Sequence, residues 1–253
     1  MPATVIIPAR FSSSRFPGKP LVSILGRPMI QHVYERATKA KKVREVWVAT
    51  DDIRIARVVR GFGGKAVMTS AEHPTGTHRV MEAHKTVGGD PVVNLQGDEP
   101  LINPQQVDLV IEALEEDPHA DVATLCTLSS DPKEIEDPNN VKVVMDHQQH
   151  ALYFSRAPIP FYRDPEKSGL GKSRSAWMHV GIYAYRKRAL ELIPSMLPAP
   201  WEEAEKLEQL RFLYWGLCIR VVPTSQRTIG VDVPEDAVRV EKLLWEELNR
   251  EGS

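Results

Sequence analysis

Cysteine is scarce in this sequence: among 253 residues only Cys126 and Cys218 carry a thiol. Both lie in apolar runs without paired spacing, which argues against a disulfide framework or a zinc site and points to packed thiols in a reducing compartment. Charge of one sign is lacking too. The 32 Lys and Arg nearly balance the 34 Asp and Glu, for a formal net charge of −2. Nothing in bulk therefore attracts nucleic acid or anionic lipid, and no basic stripe with interleaved aromatics is present. No window has the apolar length to span a bilayer, so no membrane insertion is expected. The opening MPATVIIPAR lacks a charged leader and a cleavage pattern, which makes the cytoplasm the expected location.

What is present is ample for one α/β domain: 42% hydrophobic and 26% charged residues suffice for a large core. The N-terminal half alternates short β-branched runs with amphipathic helical segments. Thr4 to Pro8 reads as a strand, followed by a helix with Met29, Ile30, Val33 and Ala37 on one face. EVWVAT, KAVMTS and PVVNLQ continue as strands, separated by helices around Ile53 to Val59 and Thr77 to Val87. The pattern predicts a mostly parallel, doubly wound sheet. From Asp121 the texture changes: DVATLCTL, VKVVM, ALYFSRA and WMHVGIYAY are strands with little helix between them, an antiparallel extension. A long loop, Pro158 to Ala176, is expected to move. A helix near Ala204 to Tyr214, a strand IRVVPT and a final helix introduced by VDVPED close the chain.

Ligands of such sheets lie beyond the carboxyl ends of the strands, where Pro8 to Lys19, Thr50 to Asp52, Thr69 to Arg79 and Gln96 to Pro100 are expected to converge. In IPARFSSSRFPGKPL, Ile7 to Leu21, the cations Arg10, Arg15 and Lys19 accompany hydroxyls and Gly18 at a strand exit. That composition suits a polyphosphate, although neither the dinucleotide nor the P-loop glycine signature is present. NLQGDEP ends an apolar strand in Asp98 and Glu99, where a carboxylate facing phosphates suits a hard divalent ion; Gln96 suits a base or sugar edge. In GVDVPED, Asp232 reads equally as a helix cap or as a second metal ligand.

Together IPARFSSSRFPGKPL, HPTGTHR, NLQGDEP, NNVKVVMD, ALYFSRAPIP, HVGIYAYR, KLEQLR and GVDVPED, in order from Val5 to about Leu244, resemble the 3-deoxy-manno-octulosonate cytidylyltransferases, the CMP-KDO synthetases. The resemblance implies a glycosyltransferase-A-like nucleotidyltransferase fold. It also implies transfer of CMP from CTP to KDO with release of pyrophosphate, dependence on Mg2+, a homodimer and a place in lipopolysaccharide assembly. Residues 1–120 would be the nucleotide-binding half of a single domain, 121–230 the sugar-binding and dimerisation extension, and 231–253 the C-terminal helix.

By the same resemblance, Ala9, Arg10, Arg15 and Lys19 would meet the nucleotide, with Arg10 and Lys19 countering charge near the α-phosphate. Asp98 and Asp232 would hold magnesium, and Thr75, Gly76, Arg79 and Gln96 would enclose the nucleotide, Gln96 also touching the sugar. Arg156 would face the sugar carboxylate, and His179, Tyr183, Glu208 and Gln209 its hydroxyls. His78 departs from the family pattern, which has an acid there; with EKSGLGKSRSA, which matches nothing, it leaves room for a modified KDO such as an amino-substituted one. The nearest rivals are a cytidylyltransferase for another acidic sugar and a catalytically silent nucleotide binder on the same fold.

Overall fold

The first strand, β1 (Ala3–Ala9), is buried along nearly its whole length, as an interior parallel strand covered on both faces must be. The structure, a computed structural model, describes residues 2–12, 16–163 and 174–251. Arg15 and most of the EKSGLGKSRSA loop lie outside the described residues. Two compact units are built from the chain, one of Met1–Ile111 with Thr228–Ser253 and one of Glu112–Arg227.

In the first unit, two-residue strands β2 (Ser23–Ile24) and β3 (Arg27–Pro28) form a small antiparallel ribbon ahead of α1 (Met29–Thr38). Met29, Ile30, Val33 and Ala37 form the buried stripe of α1, as their helical spacing predicts. There follow β4 (Val43–Thr50), α2 (Ile53–Gly61), β5 (Lys65–Met68), α3 (Gly76–Val87), β6 (Val92–Asn94) and α4 (Pro104–Glu116), the last belonging to this unit as far as Ile111. Asp52 and Thr75 cap α2 and α3 with side-chain oxygens. β1 pairs in parallel with β4 on one side and β6 on the other, and β4 pairs in parallel with β5. Order in space is therefore β6-β1-β4-β5, and the winding reverses between β1 and β6. A crevice opens at the carboxyl ends of strands flanking such a reversal.

In the second unit, β7 (Val122–Ser129) is followed by the short helix α5 (Pro132–Glu136), the hairpin β8 (Lys142–Met145) and β9 (Ala151–Ser155), and β10 (Ala176–Tyr185). Asp146 shapes the hairpin turn by accepting from the backbone N–H groups of Gln148 and His150, each at 2.8 Å. Next come α6 (Lys187–Leu192), α7 (Pro200–Glu205), α8 (Gln209–Tyr214) and β11 (Ile219–Pro223). β10 is antiparallel to β7 and β8, β8 to β9, while β11 runs parallel to β7. The single helix expected near Ala204 to Tyr214 is instead two, because Lys206 takes the left-handed conformation (φ 55°) and ends α7. Both thiols are free; burial pushes Cys126 up to about 12 and Cys218 to about 11, so neither is a ready nucleophile.

The chain then returns to the first unit for α9 (Pro234–Glu251), whose Ala237, Val240 and Leu244 pack with Val231, Ile24 and Met29. No described helix is long and apolar enough to cross a membrane.

Candidate active site

A cleft of about 250 Å³ lies at the reversal between β1 and β6 in the first unit, lined by Pro8, Ala9, Arg10 and Lys19 on one side and Gln96, Gly97 and Asp98 on another. His73 to Gly76, Arg79 and Asp232 complete the wall. The approach of the two strand exits is close enough to demand glycine. A Cβ on Gly97 would stand 2.9 Å from the Pro8 carbonyl oxygen, well inside contact distance.

The basic arm leaves β1 and closes where the Gly18 N–H donates to the Phe11 carbonyl at 2.8 Å. The Phe11 ring is held under the Arg54 guanidinium, 3.4 Å from the ring centroid. Gly18 itself is left-handed (φ 73°), and the helical turn Lys19–Leu21 that follows turns Lys19 inward. Lys19 Nζ donates to Asp98 Oδ2 at 2.6 Å and to the Val231 carbonyl at 2.8 Å, and lies 3.6 Å from Asp232 Oδ1. One ammonium thus gathers both acids, from segments 134 residues apart, and a further bond from Val231 N–H to the Asp98 carbonyl (2.9 Å) zips the segments together. The Asp236 carboxylate accepts from the N–H groups of Asp232 and Val233 at the head of α9.

A third carboxylate stands behind this pair. Burial first, and the Asp98 and Asp232 charges after it, push Glu99 up to about 7, against the pull of a Thr228 hydrogen bond and of Lys19. The site therefore has a negative field that a cation would relieve. Among the described residues there is no cluster of three or more His, Cys, Asp or Glu side chains placed to hold a metal. Two carboxylate ligands, with phosphate oxygens and water completing the shell, are what magnesium commonly takes, and the hard-oxygen donor set fits it. Arg10 has no ion pair among the described residues and lies exposed on the cleft, available to an anion.

The opposite wall is rigid. Arg79, 4% exposed, donates to Thr69 Oγ1 at 2.6 Å and Ser70 O at 3.3 Å, and pairs with Asp51 at 3.3 Å. Glu82 accepts from Ser70 N–H at 2.8 Å and bonds His73, pinning the loop between them. Thr75 Oγ1 bonds His78 Nδ1 at 2.8 Å, so the imidazole is engaged in the α3 cap. The Gln96 amide is oriented by Asn94 Oδ1, 3.5 Å away.

The remaining predicted residues lie in the second unit. His179 and Tyr183, four apart on a strand, would stand about 13 Å apart if it were regular. A register shift falls between Val180 and Tyr183, and the two ring centroids lie 5.3 Å apart. Thr124 Oγ1 stabilises this bulge, lying 2.8 Å from Ile182 O, 3.1 Å from Val180 O and 3.1 Å from His179 Nε2. Its one proton serves a carbonyl, so Nε2 of His179 carries the proton it shares with Thr124, leaving Nδ1 as an acceptor. Burial holds the imidazole down to about 4 and the Tyr183 phenol well above its usual range, so both are neutral polar contacts. Glu208 and Gln209 sit together at the head of α8, and the Glu208 charge reaches Tyr183. Arg156 donates from Nε to Glu205 O (2.8 Å) and from Nη1 to Pro138 O (2.9 Å), with Nη2 unengaged among the described residues.

Two supporting residues have no role assigned from the sequence, although Asp51 falls within the Thr50 to Asp52 segment expected at the cleft. Asp51 holds Arg79, and its position after a strand was the only signal. Thr124 lies in an ordinary β run and carries no signal at all.

Comparison with known proteins decides the family. Residues 4–221 match the cytidylyltransferase family model. A 3-deoxy-manno-octulosonate cytidylyltransferase of Geobacter sulfurreducens is 50% identical over 249 residues, covering 96% of this chain and all of the relative. The chain belongs to the 3-deoxy-manno-octulosonate cytidylyltransferase family. A 3-deoxy-manno-octulosonate cytidylyltransferase of Escherichia coli is 47% identical over 246 residues, with 97% of each chain covered. A solved CMP:2-keto-3-deoxy-manno-octonic acid synthetase complexed with CTP superposes with TM-score 0.91 at 46% identity, covering 97% of this chain and 99% of that one. The fold is accordingly the glycosyltransferase-A-like nucleotidyltransferase fold, a mostly parallel α/β sheet with antiparallel additions.

Proposed function

We propose that the protein transfers CMP from CTP to the anomeric hydroxyl of KDO, giving CMP-KDO and pyrophosphate. The observation that carries this reading is the convergence of Arg10, Lys19, Asp98 and Asp232 at the strand-order reversal, in a chain of this family. The C2 oxygen of the sugar attacks the α-phosphorus, the bond to the bridging oxygen of pyrophosphate breaks, and the hydroxyl proton passes to solvent. Arg10, and Arg15 beside it in the sequence, counter the triphosphate charge. Lys19 sits between the acids and the α-phosphate, where it neutralises charge that grows in the transition state. Asp98 and Asp232 would hold Mg2+, which would supply Lewis-acid chemistry there, lowering the pKa of the attacking hydroxyl and neutralising phosphate charge.

Ala9, Thr75, Gly76 and Arg79 enclose the nucleotide, and Gln96 reads its edge and the sugar. Arg79, locked by Asp51 and Thr69, is a fixed wall for the base and not a mobile clamp. On the sugar side, the open Nη2 of Arg156 takes the carboxylate, Nδ1 of His179 accepts from a hydroxyl, and Tyr183, Glu208 and Gln209 bond the others. Two copies pair through the second unit, a reading supported by Phe161 (87% exposed) beside Ile159 and Pro160; a monomeric wild-type protein in sedimentation equilibrium would exclude it. The product serves lipopolysaccharide assembly, and the step belongs in the cytoplasm, where CTP is available and free thiols persist.

The test is pyrophosphate release with Mg2+, each of CTP, UTP and ATP, and KDO, 8-amino-KDO or N-acetylneuraminate as acceptor. Release with CTP and an octulosonic acid alone is expected, and Asp98→Ala or Asp232→Ala should each lower kcat about 100-fold or more with little change in CTP KM. No release from folded wild-type protein with any pair would leave a silent nucleotide binder.

A further inference from the structure

Lys142 has no part in the chemistry above, yet it is a charged side chain with 0% exposure in the apolar strand β8. Lysines usually extend their ammonium to water, and one that cannot is tolerated only when its donors are met. Here all three are met. Nζ donates to the carbonyls of Asp137 (3.0 Å), Asn140 (2.6 Å) and Arg156 (2.5 Å). Burial pulls the ammonium's pKa down while Asp137 and Glu205 push the other way.

The three carbonyls come from two segments, and the same two segments meet again through Arg156. Its Nη1 rests on Pro138 O, inside the loop that Lys142 ties at Asp137 and Asn140. Its backbone N–H donates to Glu205 Oε2 at 2.9 Å, next to the Ser155 hydroxyl on Oε1 at 2.6 Å. A second tether on the loop, Asn140 Nδ2 to Glu134 O, measures 3.1 Å. A methionine would fill the space of the lysine stem and spare the buried charge, but it would leave the carbonyls of Asp137, Asn140 and Arg156 without this donor. What the ammonium adds is a fixed geometry between the loop and the Arg156 backbone.

We propose that Lys142 is a positioning residue for the sugar. Its ammonium binds the 137–140 loop and the Arg156 backbone into one frame, and that frame aims the Arg156 guanidinium at the acceptor's carboxylate. The inference rests on the reading of Arg156 given above.

Steady-state kinetics with CTP and KDO test it. Lys142→Met should raise the KDO KM roughly tenfold and leave the CTP KM within about twofold. In an Arg156→Ala background the same substitution should add nothing to the KDO KM, because the two residues act as a unit. A Lys142→Met protein that loses thermal stability without a change in KDO KM, or in which both KM values rise alike, overturns the proposal. If that variant does not fold, Asn140→Ala keeps the lysine and loosens the loop; it should raise the KDO KM by a few fold, roughly, and an unchanged value overturns the proposal. Arg156→Ala alone separates the two readings: an unchanged KDO KM there rejects the role of Arg156 itself, whereas a raised one beside a silent Lys142→Met rejects only the role of the lysine.

Discussion

The half-buried ring of His179 makes a measurable demand on pH. The ring lies against Phe154 and Tyr183, each centroid 5.3 Å away, and burial lowers its pKa from 6.5 to about 4. The native state therefore keeps the imidazole neutral where the unfolded chain protonates it. Stability from this residue is complete above the unfolded value of 6.5 and is lost as pH falls from there toward 4. With those two values, lowering the pH from about 7 to about 5 should cost about 2 kcal/mol through His179 alone. The perturbation to make is His179→Gln, whose amide N–H can replace the donor to Thr124. Urea unfolding of wild type and variant at the two pH values cancels the other titrating groups, and wild type should lose about 2 kcal/mol more than the variant. Equal losses would refute the reasoning, as would an imidazole resonance titrating at or above its ordinary pKa. The same neutrality implies that the His179 imidazole stays uncharged into mildly acidic solution.

Two other substitutions probe the scaffold. Gly97→Ala drives a Cβ against the Pro8 backbone carbonyl, a clash no side-chain movement relieves; a stability loss of about 1–3 kcal/mol and a fall in kcat are expected, and wild-type values for both would mean the strand exits yield freely. Thr124→Val removes the hydroxyl that serves Ile182 O and fixes the His179 tautomer. Its KDO KM should rise while its CTP KM does not, with a stability loss of about 1–2 kcal/mol; an unchanged KDO KM would show the tautomer to be irrelevant.

How far these features are legible in the chain depends on how local their causes are. The period of Met29, Ile30, Val33 and Ala37 identifies the buried face of α1 because it reflects helix geometry alone. The convergence of the arm after β1 with NLQGDEP is expected because parallel strands share one carboxyl edge, and the alternation of strand and helix implies a parallel sheet. The gathering of Asp98 and Asp232 onto Lys19 is not, since no spacing between residues so far apart sets a distance; motif resemblance paired them. The break at Lys206 is invisible because its cause is a left-handed non-glycine residue, which composition does not mark. Nor does a β run announce the register shift between Val180 and Tyr183. Lys142 was visible in principle: a lysine flanked by valines in VKVV is an odd choice for a strand core, and only the carbonyl cage explains it.

The bond between Asp98 and the segment of Asp232 has a consequence for biosynthesis. The second unit, Glu112–Arg227, is threaded between the two halves of the first, and Lys19 meets its second acid only from beyond that insertion. A ribosome must therefore translate the whole of the second unit and pass residue 232 before the cleft has its full set of acids. Until then Lys19 faces Asp98 without Asp232, and a message broken anywhere in the second unit yields a chain that never acquires that second acid.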